Sequence, residues 1–125
     1  MIRAMAKKIL VVDDSAVIRQ VEESVLGKAG YEVVSATGGR DGVAKMEAAT
    51  FNLILTDLNM PDLDGVSLIK HARASLKHRL TPIVMITTES KDTKKQEGKA
   101  AGATAWMVKP FTPEQLLSVV KRIIG

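Results

Sequence analysis

No cysteine occurs among the 125 residues, which excludes a disulfide framework, thiolate metal sites and a catalytic thiol. The absence is compatible with a reducing compartment, and a cytoplasmic location is expected. No apolar run approaches the roughly 18 residues that a membrane-spanning helix requires, so no membrane association is expected. The first residues, MIRAMAKK, lack an apolar segment of signal-peptide length, because Ile9–Val12 run straight into two aspartates. Charge of one sign is also scarce in excess. Eighteen basic against fourteen acidic side chains leave +4, too mild and too scattered to demand nucleic acid. Repeats, low-complexity blocks and linkers are missing. What is present is 46% hydrophobic and 26% charged residues, the proportions of a soluble globular chain. The length suits one domain of about 100–150 residues. We expect a tail over residues 1–7 and a single domain over 8–125, with no output domain after it.

Five short apolar runs punctuate the chain: Ile9–Val12, Tyr31–Ala36, Leu53–Leu55, Ile83–Ile86 and Ala105–Val108. Most are rich in β-branched residues and bounded by Gly, Pro, Asn or Asp, as strands are. The first, third and fourth are apolar at consecutive positions, the pattern of strands buried on both faces in a parallel sheet. Between them, Val17, Ile18, Val21 and Val25 recur at helical spacing before a stop at Gly30. Thr112-Pro113-Glu114-Gln115 combines a capping box with proline in the first helical position. Leu116, Leu117, Val120, Ile123 and Ile124 then form an apolar face. Ser90–Ala101 is the weakest helix, with four lysines, an internal Gly98 and no large apolar residue. Strand and helix alternate five times, which predicts a doubly wound α/β domain.

Open parallel sheets bind ligands beyond the carboxyl ends of their strands, where the strand order reverses. The first run ends in Asp13-Asp14, the third in Thr56-Asp57, the fourth in Thr87-Thr88 and the fifth in Lys109-Pro110. Taken singly, an aspartate after a strand caps a helix or starts a turn. Together, three carboxylates, a hydroxyl and an ammonium converge on one edge. Crowded carboxylates call for a cation between them, and an all-oxygen set without His or Cys favours Mg2+ over zinc. Lys109 adds positive charge, Thr87 offers a hydroxyl to a phosphate oxygen, and a carboxylate can itself become an aspartyl phosphate.

The motifs VVDDS at Val11–Ser15, DLNMPDLDG at Asp57–Gly65, TT at Thr87–Thr88 and VKPF at Val108–Phe111 resemble the receiver domain of two-component response regulators. The resemblance covers residues 8–124, and Thr87–Ser90 with Ala105–Phe111 are most similar to chemotaxis regulators of the CheY type. It implies a five-stranded parallel sheet of order 2-1-3-4-5 with five helices, a flavodoxin-like fold. It implies that Asp57 accepts a phosphoryl group from a histidine kinase, making the protein a phosphoacceptor that assists its own phosphorylation and dephosphorylation rather than an enzyme. Asp14 and Asp57 would bind Mg2+ directly with the backbone carbonyl of Asn59, while Asp13 would act mainly through water. Thr87 and Lys109 would contact the phosphoryl oxygens, and the Lys109–Pro110 bond would be cis. Asn59 and Glu89 would border the phosphoryl group and govern its lifetime. Trp106 stands where the family usually has a switching Tyr or Phe. The resemblance also implies a monomer that docks a target protein, such as a flagellar motor switch component, on its fourth helix, fifth strand and fifth helix. A phosphate sink or an intermediate in a non-chemotactic phosphorelay is the alternative.

Two other readings compete. A haloacid-dehalogenase-type phosphatase would use Asp62-x-Asp64, but these follow Pro61 in a loop instead of closing a strand. A flavodoxin would need a Ser/Thr-rich phosphate loop after the first strand, where two acids stand. Gly38-Gly39 with Gly42 lacks the dinucleotide spacing, and neither Gly27-Lys28 nor Gly98-Lys99 continues as a P-loop. His71 and His78 are expected on the surface. The methionines read as core filler or chain start. Lys91, Lys94, Lys95 and Lys99 are expected to form a solvated helix face.

Overall fold

β1 (Lys8–Val12), β2 (Glu32–Ala36), β3 (Leu53–Thr56), β4 (Ile83–Thr87) and β5 (Ala105–Val108) alternate with α1 (Ala16–Lys28), α2 (Gly39–Ala48), α3 (Gly65–Ala74), α4 (Asp92–Ala101) and α5 (Pro113–Ile124). The computed structural model describes residues 6–125; Met1–Met5 of the expected tail lie outside the described residues. The strands form one parallel sheet in the order β2-β1-β3-β4-β5. The three apolar runs without alternation are its centre, where every residue from Ile9 to Val12, Leu53 to Thr56 and Ile83 to Thr87 is buried. β2 and β5 are the edges and remain partly exposed.

Alternate residues of the central strands face opposite layers, as the pleat requires. Ile9, Val11, Leu53, Leu55, Val84 and Ile86 pack against Leu26 of α1 and Leu116 and Val120 of α5. Leu10, Val12, Ile54, Ile83 and Met85 pack against Met46 of α2 and Leu68, Ile69 and Ala72 of α3. Each fully buried aliphatic side chain contributes about 1.5–3 kcal/mol, so the two layers drive the fold. Three helices are capped by the side chain of their own N-cap residue: Ser15 accepts from the Ile18 amide at 3.3 Å, Asp64 from Ser67 at 2.8 Å, and Thr112 from Gln115 at 3.1 Å within a full capping box. α4 buries only Gly98 and ends at Gly102 in the left-handed region (φ 114°), and its lysines lie on an outward face.

One expectation needs correction, and the spacing read in α1 needs completing. Of its apolar positions Ile18 and Val25 turn toward the core, but Val17 is 67% exposed, whereas Glu22 is 2% exposed. The stripe facing the core is Ile18, Glu22, Val25 and Leu26, and Val17 and Val21 lie one position, about 100°, around the helix from it. His78 is fully buried instead of superficial. The turn after α3 lays its ring on Phe51, with centroids 5.9 Å apart. Nε2 lies 3.0 Å from the carbonyls of both Met46 and Ala49, and Nδ1 lies 3.1 Å from the Thr81 hydroxyl. The end of α2 leaves carbonyls without helical partners, and a ring N–H satisfies them. His71 is exposed, 3.3 Å from Glu47.

Candidate functional site

The sheet reverses its strand order at β1, whose neighbours are β2 on one side and β3 on the other. Val12 and Thr56 are in register, so the residues that follow them emerge side by side, and the Asp57 amide donates to the Val12 carbonyl at 3.0 Å. Asp13, Asp14 and Asp57 consequently bring carboxylate oxygens within 4.8 Å of one another. Asp13 and Asp57 are buried, and Asp14 is exposed. Lys109 arrives from the end of β5, and its Nζ donates to Asp13 Oδ2 at 2.6 Å and to Asp57 Oδ2 at 3.2 Å. The Lys109–Pro110 bond that follows is cis.

Backbone amides hold the other carboxylate oxygens. Asp57 Oδ1 accepts from the Leu58 amide at 2.7 Å, and Asp13 Oδ1 accepts from Ser15 at 2.9 Å. Arg19, on the first turns of α1, donates to the Asp13 carbonyl at 2.7 Å. Burial pushes the Asp13 carboxyl up, against the opposing bond from Lys109. Burial alone would lower Lys109, but its bond to Asp13 and the charges of Asp57 and Asp13 hold the ammonium above its usual range. Two anions thus share one cation in a partly dry site, so spare negative charge faces solvent at Asp14. All-oxygen donors at this spacing fit a hard divalent ion.

Thr87, at the end of β4, is fully buried, and its hydroxyl accepts from the Glu89 amide at 3.3 Å. Trp106 is half-buried, and its indole N–H donates to the Glu89 carbonyl at 3.2 Å. The ring rests over Gly98 of α4, where an added Cβ would lie 3.0 Å from the indole Cζ3. Thr87 and Trp106 therefore grip the same residue from two sides. Glu89 is half-buried and accepts from the Lys91 amide at 3.2 Å, and Asn59 is exposed in the β3–α3 loop. The pair quoted for a phosphatase is occupied elsewhere: Asp64 caps α3, and Asp62 binds the first amides of α2.

Sequence patterns did not disclose Glu22. It lies beneath the site on α1, where burial, then the charges of Asp13, opposed by Lys109, push its carboxyl up to about 8. The signal was its spacing, four residues after Ile18 and four before Leu26, on the helix's inward stripe.

Comparison with known proteins agrees with this geometry. The chain is 38% identical over 120 residues to the chemotaxis protein CheY1 of Helicobacter pylori, covering 94% of this chain and 97% of that one. The structure of the chemotaxis protein CheY4 of Vibrio cholerae superposes with a TM-score of 0.92 at 48% identity, covering 95% and 99% of the two chains. The receiver domain of the sensor histidine kinase PA1611 of Pseudomonas aeruginosa, with a magnesium ion coordinated in its active-site cleft, superposes with a TM-score of 0.89 at 30% identity, covering 97% and 99%. Residues 9–121 match the response regulator receiver domain. With its sheet order, its edge of acids and lysine and its likeness to chemotaxis proteins along nearly the whole chain, this protein belongs to the response regulator receiver domain family, among its CheY-like members.

Proposed function

We propose that the protein is a phosphorylation-switched regulator in a two-component chemotaxis pathway, accepting a phosphoryl group on Asp57 from a histidine kinase. The observation that carries this reading is the shared ammonium: Lys109 binds Asp13 and Asp57 together, and the buried Asp57 stands among oxygen donors beside the exposed Asp14. A carboxylate oxygen of Asp57 attacks phosphorus, the P–N bond to the donor imidazole breaks, and the imidazole keeps the electron pair and is protonated. Asp14, Asp57 and the Asn59 carbonyl would hold Mg2+, with Asp13 acting mainly through water. The ion supplies charge neutralisation for the incoming phosphoryl oxygens. Lys109 binds those oxygens beside it. The Thr87 hydroxyl accepts a bond from Glu89 and keeps its own proton to donate. The protein acts as phosphoacceptor, with Asn59 and Glu89 bordering the group and governing attack by water.

A pull on Thr87 reaches Trp106 through Glu89, which both residues bind. The readout surface is α4, β5 and α5; between β5 and α5 a groove of about 580 Å³ is lined by residues including Trp106, Val108, Pro110, Gln115, Val119 and Arg122. A target protein such as a flagellar motor switch component docks there.

Incubation with Mg2+ and acetyl phosphate tests the reading. The protein is expected to gain the mass of one labile phosphoryl group, and Asp57→Asn, which keeps the shape without the nucleophile, is expected to gain none. Labelling of that variant at the parental level would reject Asp57 as acceptor.

A further inference from the structure

The glycine pair Gly38-Gly39 and the acidic pair Asp62-x-Asp64 both lie outside the chemistry above, and the structure brings them together. α2 begins after Gly38, which has no side chain with which to cap it. The cap comes from the loop between β3 and α3. Asp62 accepts from the Gly39 amide at 3.2 Å through Oδ1 and from the Arg40 amide at 3.0 Å through Oδ2. It also accepts from its neighbour Leu63 at 2.9 Å. A carboxylate across the first amides of a helix makes charge-assisted bonds at the positive end of the helix dipole. These bonds, that from Arg40 foremost, hold the Asp62 carboxyl below the usual carboxylate range.

The glycines make the approach possible. A Cβ on Gly39 would lie 2.1 Å from the Leu63 carbonyl oxygen, and one on Gly38 would lie 3.1 Å from Asp62 Oδ1. At its start the loop is tied to β1 and to Lys109 through Asp57, and Leu58 and Met60 are buried in the core. Beyond Asp57, the bonds from Gly65 N to the Leu58 carbonyl at 2.8 Å and from Ser67 N to Asp64 stay within the β3–α3 unit, and Asp62 ties the far half of the loop to a different element. Asn59, whose carbonyl would complete the cation site, lies between the anchors at Asp57 and Asp62.

We propose that Asp62 is a positioning residue for the cation site: by capping α2 from a distance, it fixes the loop that carries the Asn59 carbonyl. The proposal rests on the Asp57 reading above. Without the latch, the loop keeps its anchor at Asp57 and its local turn, but its far half loses its bond to α2. The donor set then spends less time in a geometry that binds a hard ion.

The test uses Mg2+ itself, with affinity measured by calorimetry and phosphorylation rate measured with acetyl phosphate. In Asp62→Ala the Mg2+ dissociation constant is expected to rise about tenfold, as when an outer partner of a metal site is lost. The amides of Gly39 and Arg40 are expected to lose hydrogen-exchange protection. Asp62→Asn keeps an acceptor oxygen and is expected to recover most of the affinity. Gly39→Ala, which leaves Asp62 intact, is expected to weaken Mg2+ binding in the same way from the other side. Asp64→Ala, which removes only the α3 cap, is expected to bind Mg2+ like the parent. Melting without Mg2+ separates the explanations: if Asp62→Ala and Gly39→Ala melt early yet bind Mg2+ like the parent, Asp62 is a helix cap and nothing more. Equal weakening in Asp64→Ala would also overturn the proposal. A parent that takes up neither Mg2+ nor phosphoryl would instead overturn the Asp57 reading on which it rests.

Discussion

The two edges of the sheet both bury polar side chains, and they pair them differently. At the amino edge the buried groups find main-chain atoms or neutral groups, and an ion pair there, Lys8 with Glu32 at 3.6 Å, lies at the surface. Arg73 donates to the carbonyls of His78, Arg79, Thr81 and Gly102, and His78 faces those of Met46 and Ala49. Asn52 accepts from the Lys8 amide, and Thr104 from the Ile83 amide. At the carboxyl edge, Lys109 bonds to two ionised side chains, and Asp14 stands exposed beside them. A buried polar group satisfied by backbone is a strut with nothing left to offer. A cluster in which two carboxylates share one ammonium holds an imbalance that a ligand can change. That contrast separates function from support more sharply than burial does, since Thr87 and His78 are both fully buried.

The contrast breaks if both edges respond alike to mutation. The largest expected effect is qualitative: Lys109→Ala abolishes measurable phosphorylation by acetyl phosphate, while Arg73→Ala lowers the melting temperature and still labels at the parental rate at temperatures where it is folded. Mass spectrometry beside a melting curve checks both. Loss of labelling in a folded Arg73→Ala protein would erase the distinction.

Next in size is a pH effect beneath the charged edge. Glu22 is raised from 4.5 to about 8 by burial and by Asp13. A carboxyl that binds its proton more tightly in the folded state contributes fully below about 4.5 and loses that contribution as pH climbs through about 8. Over that window the parent is expected to lose on the order of a few kcal/mol relative to Glu22→Gln, which carries no titrating carboxyl there. Denaturant unfolding at a series of pH values reads this directly, and parallel profiles would refute it. Smaller again is the cost of His78→Leu, about 2–3 kcal/mol for orphaning the carbonyls and hydroxyl around the ring. Phosphorylation of this variant is expected to be unaffected.

Two smaller effects sharpen the charged edge itself. Mg2+ at ten times its dissociation constant is expected to stabilise the parent by about 1.4 kcal/mol, and Asp14→Ala to lose that gain. Unchanged melting of the parent in Mg2+ would count against the site. Last is fluorescence from Trp106, the only tryptophan. Its emission is expected to shift on phosphorylation, to stay fixed in Asp57→Asn and to move less in Thr87→Ala. Phosphorylation without any shift would take Trp106 out of the switch.

Strands and their burial were legible because β1, β3 and β4 carry runs of consecutive apolar residues (Ile9–Val12, Leu53–Leu55 and Ile83–Ile86), a pattern that a sheet covered on both faces explains. Asp13, Asp14, Asp57, Thr87 and Lys109 were legible because each ends or follows a strand, and a parallel sheet delivers all strand ends to one edge. Glu22 and His78 were not. In α1 the helical spacing pointed to apolar residues, and Glu22 turned inward because it shares the core-facing stripe of Ile18, Val25 and Leu26. His78 went inside because its partners lie at Met46 and Ala49, a separation in sequence that no local pattern spans.

The order of residues alone therefore determined the class of fold, the edge at which chemistry occurs and the residue types gathered there. Periodicity and strand-end chemistry are local properties, written within a few positions of each residue. Which two of the three carboxylates share the lysine, how Trp106 sits on Gly98, and the junction of Asp62 with Gly39 depended on packing between segments far apart in the chain. Close contact is decided by the shapes of both partners at once, and neither segment carries the other's shape.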